Sequence, residues 1–322
     1  MLSIQNPTAK AVRSLVASHF PVSAPLPPLV PKAAGRDLQS IIHQMTVLFS
    51  TIDDFLKGQA TWTHWRRSPN NKPRFTDAEV LTVGLLQSCL KVATLKHAHR
   101  IVATDFLTAF PALPSYAQFM ARLHLLQPIV GRLIQQILPD FDGDVYLMDD
   151  RKPRRFAESK PIPVCKPIRH GRVRLLREDG AYFGRNSCGW YFGFKLHVIA
   201  HRSGTIFCAF LTSANTPDRD AALALAQAAD GGILLADKAY RGKELETLFD
   251  EQADLLLITP GNRGDANRAL ISGLRERIET TFSQLYERFI DRVYSRSFHG
   301  LWNTVKLKIL HLNFCHAGLL SY

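Results

Sequence analysis

The sequence predicts a mixed α/β sheet with flanking helices, preceded by a small all-helical segment. Three observations carry that prediction. Helix signals alone run from about Asp37 to Pro139, and beyond Asp144 the hydrophobic period shortens to two. The apolar runs past that point follow the order β-β-β-α-β-α-β-α, antiparallel first and parallel later.

The elements follow in chain order. Residues 1–36 contain no acid and include PVSAPLPPLVP, which predicts a flexible, Pro-rich lead-in. Such a start imitates an organellar transit peptide, although its prolines spoil a long amphipathic helix. Residues 37–140 read as three to five helices. Thr76-Asp77-Ala78-Glu79 is a capping box opening the run VLTVGLLQSCL, and Ser115-Tyr116-Ala117-Gln118, after Pro114, reads as a second. This segment is capable of a DNA-binding helix-turn-helix but carries no diagnostic signature. VYLMD (145–149) is a short apolar strand ending in acid. WYFGFKLHVIA (190–200) alternates, and TIFCAFL (205–211) follows a His201-Arg202-Ser203-Gly204 turn, which predicts an antiparallel hairpin. Next come a helix over about 218–229, a buried strand GGILLAD, a helix near 241–251 and a strand ADLLLITP. Asp265 and Asn267 can cap a last long helix with the stripe Leu270, Leu274, Ile278, Phe282, Leu285 and Phe289.

The charge narrows the function. Forty Lys and Arg against 28 Asp and Glu leave a net charge of +12, and a chain this basic suits a polyanionic partner such as nucleic acid. Residues 151–177 hold ten Lys/Arg and one acid, Glu158, so three quarters of the surplus sits in one internal segment. That density predicts either phosphate contacts or a solvated basic loop. The five scattered cysteines contain no C-x-x-C pair, which fits a reducing cytosol and excludes a disulfide scaffold or zinc ribbon. No apolar run approaches the length of a membrane span. Walker A, Rossmann, H-E-x-x-H and G-x-S-x-G patterns are missing, which excludes P-loop ATPases, ordinary dehydrogenases, zinc peptidases and α/β-hydrolases.

Three acids occupy positions suited to chemistry. Asp149 and Asp237 each end an apolar strand, where open α/β sheets bind ligands. Glu279 flanks the buried stripe of the last helix. Three such carboxylates can hold two Mg²⁺ ions for in-line displacement at phosphorus. Each acid alone reads equally as a cap or a surface residue. Lys195 and His197 share a strand face, turned either to water or to phosphate.

Four stretches carry a family resemblance: SKPIPVCK (159–166), GWYFGFKLH (189–197), LLADKAY (234–240) and RERIETTFSQ (275–284). Together they resemble the catalytic half of bacterial insertion-sequence transposases of the DDE class, in the insertion-sequence family numbered nine-eighty-two. The resemblance implies an RNase H-like catalytic domain over residues 141–322 with a basic insertion at about 150–180, behind a helical, DNA-binding domain over 37–140. It implies two Mg²⁺ ions, with Mn²⁺ as a substitute, and double-stranded DNA partners, namely the inverted-repeat ends and a target. A homodimer in the synaptic complex and a cytoplasmic, nucleoid-associated location also follow from it.

Carried over residue by residue, Asp237 matches the second aspartate in Asp-Lys-Ala-Tyr. Glu279 matches the glutamate of Arg-x-x-x-Glu, with Arg275 four before it. The first carboxylate departs from the pattern, because about nine residues, DRKPRRFAE, interrupt it. Asp149 is the expected ligand, at a rigid strand end, with Asp150 and loop-borne Glu158 as alternatives. The expected DNA contacts are Arg151, Lys152, Arg154, Arg155, Lys195, His197, Lys238 and Arg275. A catalytically inactive DNA-binding descendant and a metal nuclease are the competing functions.

Overall fold

The computed structural model describes residues 38–59, 73–137, 154–172, 176–186, 189–201, 203–218, 232–236, 242–253, 255–259, 279–291 and 293–321, with Arg174, Asp220, Ala221 and Ala224 between them. The chain divides into two compact units, Met1–Leu133 with Ala317–Tyr322, and Ile134–His316. The expected lead-in over 1–36 lies outside the described residues.

The first unit is built from helices α1 (Leu38–Gly58), α2 (Asp77–Cys89), α3 (Leu95–Asp105) and α4 (Tyr116–Leu125), while α5 (Gln127–Gln136) runs across the division. Thr76 and Glu79 form the complete capping box at α2. The second box is only half made. Ser115 accepts from the Gln118 N–H, but Gln118 Oε1 takes the Ser115 hydroxyl instead of returning to the backbone. Helix α2 is buried nearly all round and packs against α1, α3 and α4. Even Asp77 in its first turn is buried, because the Arg122 guanidinium of α4 pairs with it at 2.6 Å.

The second unit is a six-stranded mixed sheet covered on both faces. Its strands are β1 (Arg154–Cys165), β2 (Tyr182–Asn186), β3 (Gly189–His201), β4 (Ile206–Ser213), β5 (Gly232–Ala236) and β6 (Leu255–Ile258). Strand β3 pairs antiparallel with β1, β2 and β4, while β5 runs parallel to both β1 and β6. The sheet therefore reads β4-β3-β1-β5-β6 across, with β2 beside β3. The predicted β3–β4 hairpin is present, and its turn depends on Gly204, whose φ of +91° favours glycine.

The strand beside β5 departs from expectation. VYLMD lies outside the described residues, and Arg154, Arg155 and Glu158, expected in a loop, belong to β1. Two prolines would normally argue against a central strand. Here the ladder to β5 ends at Ala157↔Ala236, upstream of Pro161 and Pro163. Two residues apart, their missing N–H groups fall on one edge of β1, where β5 no longer pairs.

Alternation along the strands defines two faces. Ser159 and Pro161 stand opposite His197 and Lys195, whereas positions 158, 160 and 162 stand opposite Val198, Leu196 and Phe194. Helix α6 (Lys243–Ala253) covers the first face, with Leu245 and Phe249 packed on Ile199, Leu234, Ala236 and Leu257. Helical residues 279–287 and helix α7 (Phe298–His316) cover the second. There Lys160 Nζ lies 5.4 Å from the Phe282 ring centroid and Phe194 meets Phe298 at 5.3 Å.

The expected last helix is thus followed by another. Of the predicted stripe, Phe282 and Leu285 are buried as expected. Phe289 instead sits in the following turn with φ 56°, and Leu270, Leu274, Ile278 and the caps Asp265 and Asn267 lie outside the described residues.

Helix α7 is held by polar contacts as well as packing. Buried Asn313 donates to the Ile206 carbonyl and accepts from the Ile206 N–H, both at 2.9 Å. Asn313→Ala leaves both groups unpaired, so it is expected to destabilise this unit by about 2–4 kcal/mol in urea unfolding. A loss under ~1 kcal/mol would mean water replaces the amide. Nearby, Arg288 Nε donates to His311 Nδ1 at 2.9 Å, and Lys308 Nζ donates to the Arg288 carbonyl. Burial lowers the Lys308 pKa to about 7, and burial with the two neighbouring cations lowers that of His311 to about 3.

Candidate active site

The register of β1 against β5 organises the candidate site. Ala157 is the Cα partner of Ala236, the last residue of β5. The strands run parallel, so the next residue along β1 is Glu158, and the sequence continues from Ala236 to Asp237. Glu158 is the Cα partner of Val198, and position 158 shares the β1 face of Lys160. Glu279 is exposed at the start of the described helical residues, three before Phe282. Residues three apart on a helix are neighbours, and Phe282 is the ring beneath the Lys160 ammonium. Positions 158 and 279 therefore belong to the same side of the sheet.

Several expected residues lie outside the described ones: Asp149, Asp150, Arg151, Lys152, Asp237, Lys238 and Arg275. Arg154 and Arg155 pair through their backbones with Ile233 and Leu234 of β5. Among the described residues no group of three or more His, Cys, Asp or Glu side chains is gathered to hold a metal ion.

Lys195 and His197 lie on the opposite face, and neither faces water as a half-exposed strand would require. Both converge on Asp218, at the start of the helical residues that follow β4. Lys195 Nζ binds Asp218 Oδ1 at 3.1 Å and the Thr216 carbonyl at 2.8 Å, and the Ser159 hydroxyl donates to the same Oδ1 at 2.9 Å. His197 is fully buried, stacked on Phe210 at 5.0 Å. The Thr212 hydroxyl donates to the Ser213 carbonyl, so His197 Nε2 is the donor to Thr212 Oγ1 at 2.9 Å. Its Nδ1 then carries a lone pair 4.0 Å from Asp218 Oδ1. Burial lowers the His197 pKa to about 4, with Asp218 opposing and Lys195 reinforcing that shift. At neutral pH this contact is not an ion pair. Asp218 joins β1, β3 and the chain after β4, on the reverse side of the strand residue that follows Glu158. Sequence reading missed it, although a lysine on an apolar strand calls for a partnering anion.

Residues 150–290 match the family model described as Transposase DDE domain. That stretch is similar to a transposase DDE domain. The matched stretch runs from before β1 through the helical residues 279–287, so it spans the whole sheet and includes Glu158, Asp237 and Glu279. Comparison with curated proteins gives no match. Among the described residues no helix is long and apolar enough to cross a membrane.

Proposed function

We propose that the chain is a DDE-class transposase of the insertion-sequence type, with an RNase H-like core that cleaves and joins phosphodiesters at the inverted repeats of its own element. The observation that carries this reading is the β1–β5 register, whose last pair, Ala157↔Ala236, is followed in the sequence by Glu158 on one strand and by Asp237 on the other. The sheet order, the position of Glu279 and the family match support it. Glu158, rather than Asp149, is the proposed first carboxylate, with Asp237 and Glu279 completing the set. The reading extends to the nine-eighty-two type of insertion sequence, to a homodimer when two ends are synapsed, and to action at the nucleoid.

An all-oxygen donor set of this kind fits a hard divalent cation such as Mg²⁺. Two such ions, or Mn²⁺ in their place, supply positive charge for activating a water or 3′-hydroxyl and for the leaving oxygen. The chain itself would contribute carboxylates borne by a strand and a helix, elements whose backbones need little reorganisation during the reaction. The basic residues of 151–177 neutralise phosphate and orient the duplex.

The test is an inverted-repeat duplex supplied with Mg²⁺. Joined product is expected from the parental protein, while Asp237→Asn and Glu279→Gln bind the same duplex but neither cut nor join it. Cut but unjoined product would make the protein a nuclease. Bound, uncut DNA with the parental protein would make it an inactive descendant.

A further inference from the structure

The hairpin formed by β2 and β3 presents an exposed indole that the proposed catalysis does not use. Trp190 is 61% exposed. Arg185 is the ladder partner of Trp190, with its guanidinium carbon 5.9 Å from the indole centroid. The outward position of Trp190 is enforced from behind. Tyr191 is buried and its ring lies over Gly184, where an added Cβ would meet the Tyr191 ring and the Ala214 carbonyl at 2.7 Å. Only glycine admits that approach.

A basic loop is fastened to the same hairpin. Phe183 and Phe192 pair edge-on at 5.3 Å, His170 packs on Phe183 at 4.6 Å, and Arg177 lies 5.8 Å over Phe192 while donating to the His170 carbonyl. These contacts hold the loop in place and leave Lys166, Arg169, Arg172 and Arg174 exposed beside it. Cations on a loop fastened to the hairpin face that carries an exposed indole match the two parts of a nucleotide, phosphate and base face. Duplex stacking hides base faces, so such a surface selects nucleotides that are unpaired.

We propose that the β2–β3 hairpin and its loop bind unpaired DNA nucleotides, with Trp190 stacking on a base and Arg169, Arg172 and Arg174 on the adjoining phosphates. The choice of DNA rests on the transposase reading; the stacking geometry does not. The test is fluorescence anisotropy in EDTA, comparing a flush duplex with the same duplex carrying a short unpaired extension. The parental protein is expected to prefer the extended duplex by about tenfold. Trp190→Ala should erase that preference and Trp190→Phe should keep most of it, with unchanged thermal unfolding because the side chain is exposed. Replacing Arg169, Arg172 and Arg174 together by Gln should weaken both ligands and flatten the dependence on salt. Equal parental binding to the two ligands, or a preference that survives in Trp190→Ala, would overturn the proposal. Because binding is read without metal, loss of the preference with cleavage intact sinks only this surface. Loss of cleavage with the preference intact sinks only the catalytic reading.

Discussion

Glu158→Gln is expected to slow cleavage of an inverted-repeat duplex by about a hundredfold to a thousandfold, a loss typical of removing one preorganised electrostatic group, while affinity for the duplex stays within about twofold. Glutamine keeps the length and shape of the side chain and removes its charge. Asp149→Asn, in contrast, is expected to cost less than about tenfold. The two variants separate two origins for the first carboxylate. A strand VYLMD ending in Asp149 is the sequence expectation, but the strand paired with β5 is Arg154–Cys165, and Glu158 is the acid on it. If Asp149→Asn abolishes cleavage and Glu158→Gln does not, the β1 register has been assigned the wrong role.

Acidification between pH 6.5 and about 4 is expected to destabilise the sheet unit by several kcal/mol, through two buried histidines. The His197 pKa is lowered to about 4 and that of His311 to about 3, in both cases chiefly by burial. A lowered folded-state value means that the unfolded chain binds more protons throughout this window. Stability is therefore complete above the ordinary histidine value and is lost as the pH falls toward the folded values. At the acid end each histidine accounts for roughly 3 kcal/mol. His197→Gln preserves a donor for Thr212 Oγ1 and removes the titration, so urea unfolding across pH 7 to 4.5 should show about half the parental slope. An unaltered slope would mean that His197 takes its proton in the folded state, with Asp218 as its partner.

How far the sequence is legible depends on where each signal resides. Local signals read well: the Thr76–Glu79 box marks α2, and alternation with a glycine turn marks the β3–β4 hairpin. Helix α7 escapes because it is buried nearly all round, so no polar stripe sets its period, and its cap, Ser297, has no glutamate three residues on. Helix α2 is equally buried, and only its cap reveals it. Strand β1 is hidden because Pro161 and Pro163 look like loop residues until the extent of the β5 ladder is known, which is a tertiary fact. The carboxylates Asp237 and Glu279 stand out by element position, whereas Glu158 does not, because its strand is invisible in the sequence. Asp218 stands far in sequence from the Lys195 and Ser159 side chains it joins, so only the fold brings the group together.

The prolines of β1 have a bearing on how the protein keeps to itself. Past Ala157 one edge of β1 carries no strand neighbour among the described residues, and an uncovered edge is ordinarily a template for another chain. Pro161 and Pro163 withhold two donors along that edge, so a second strand cannot zip onto it. That edge of β1, next to the candidate carboxylates, is thus poorly suited to pairing with a further polypeptide strand.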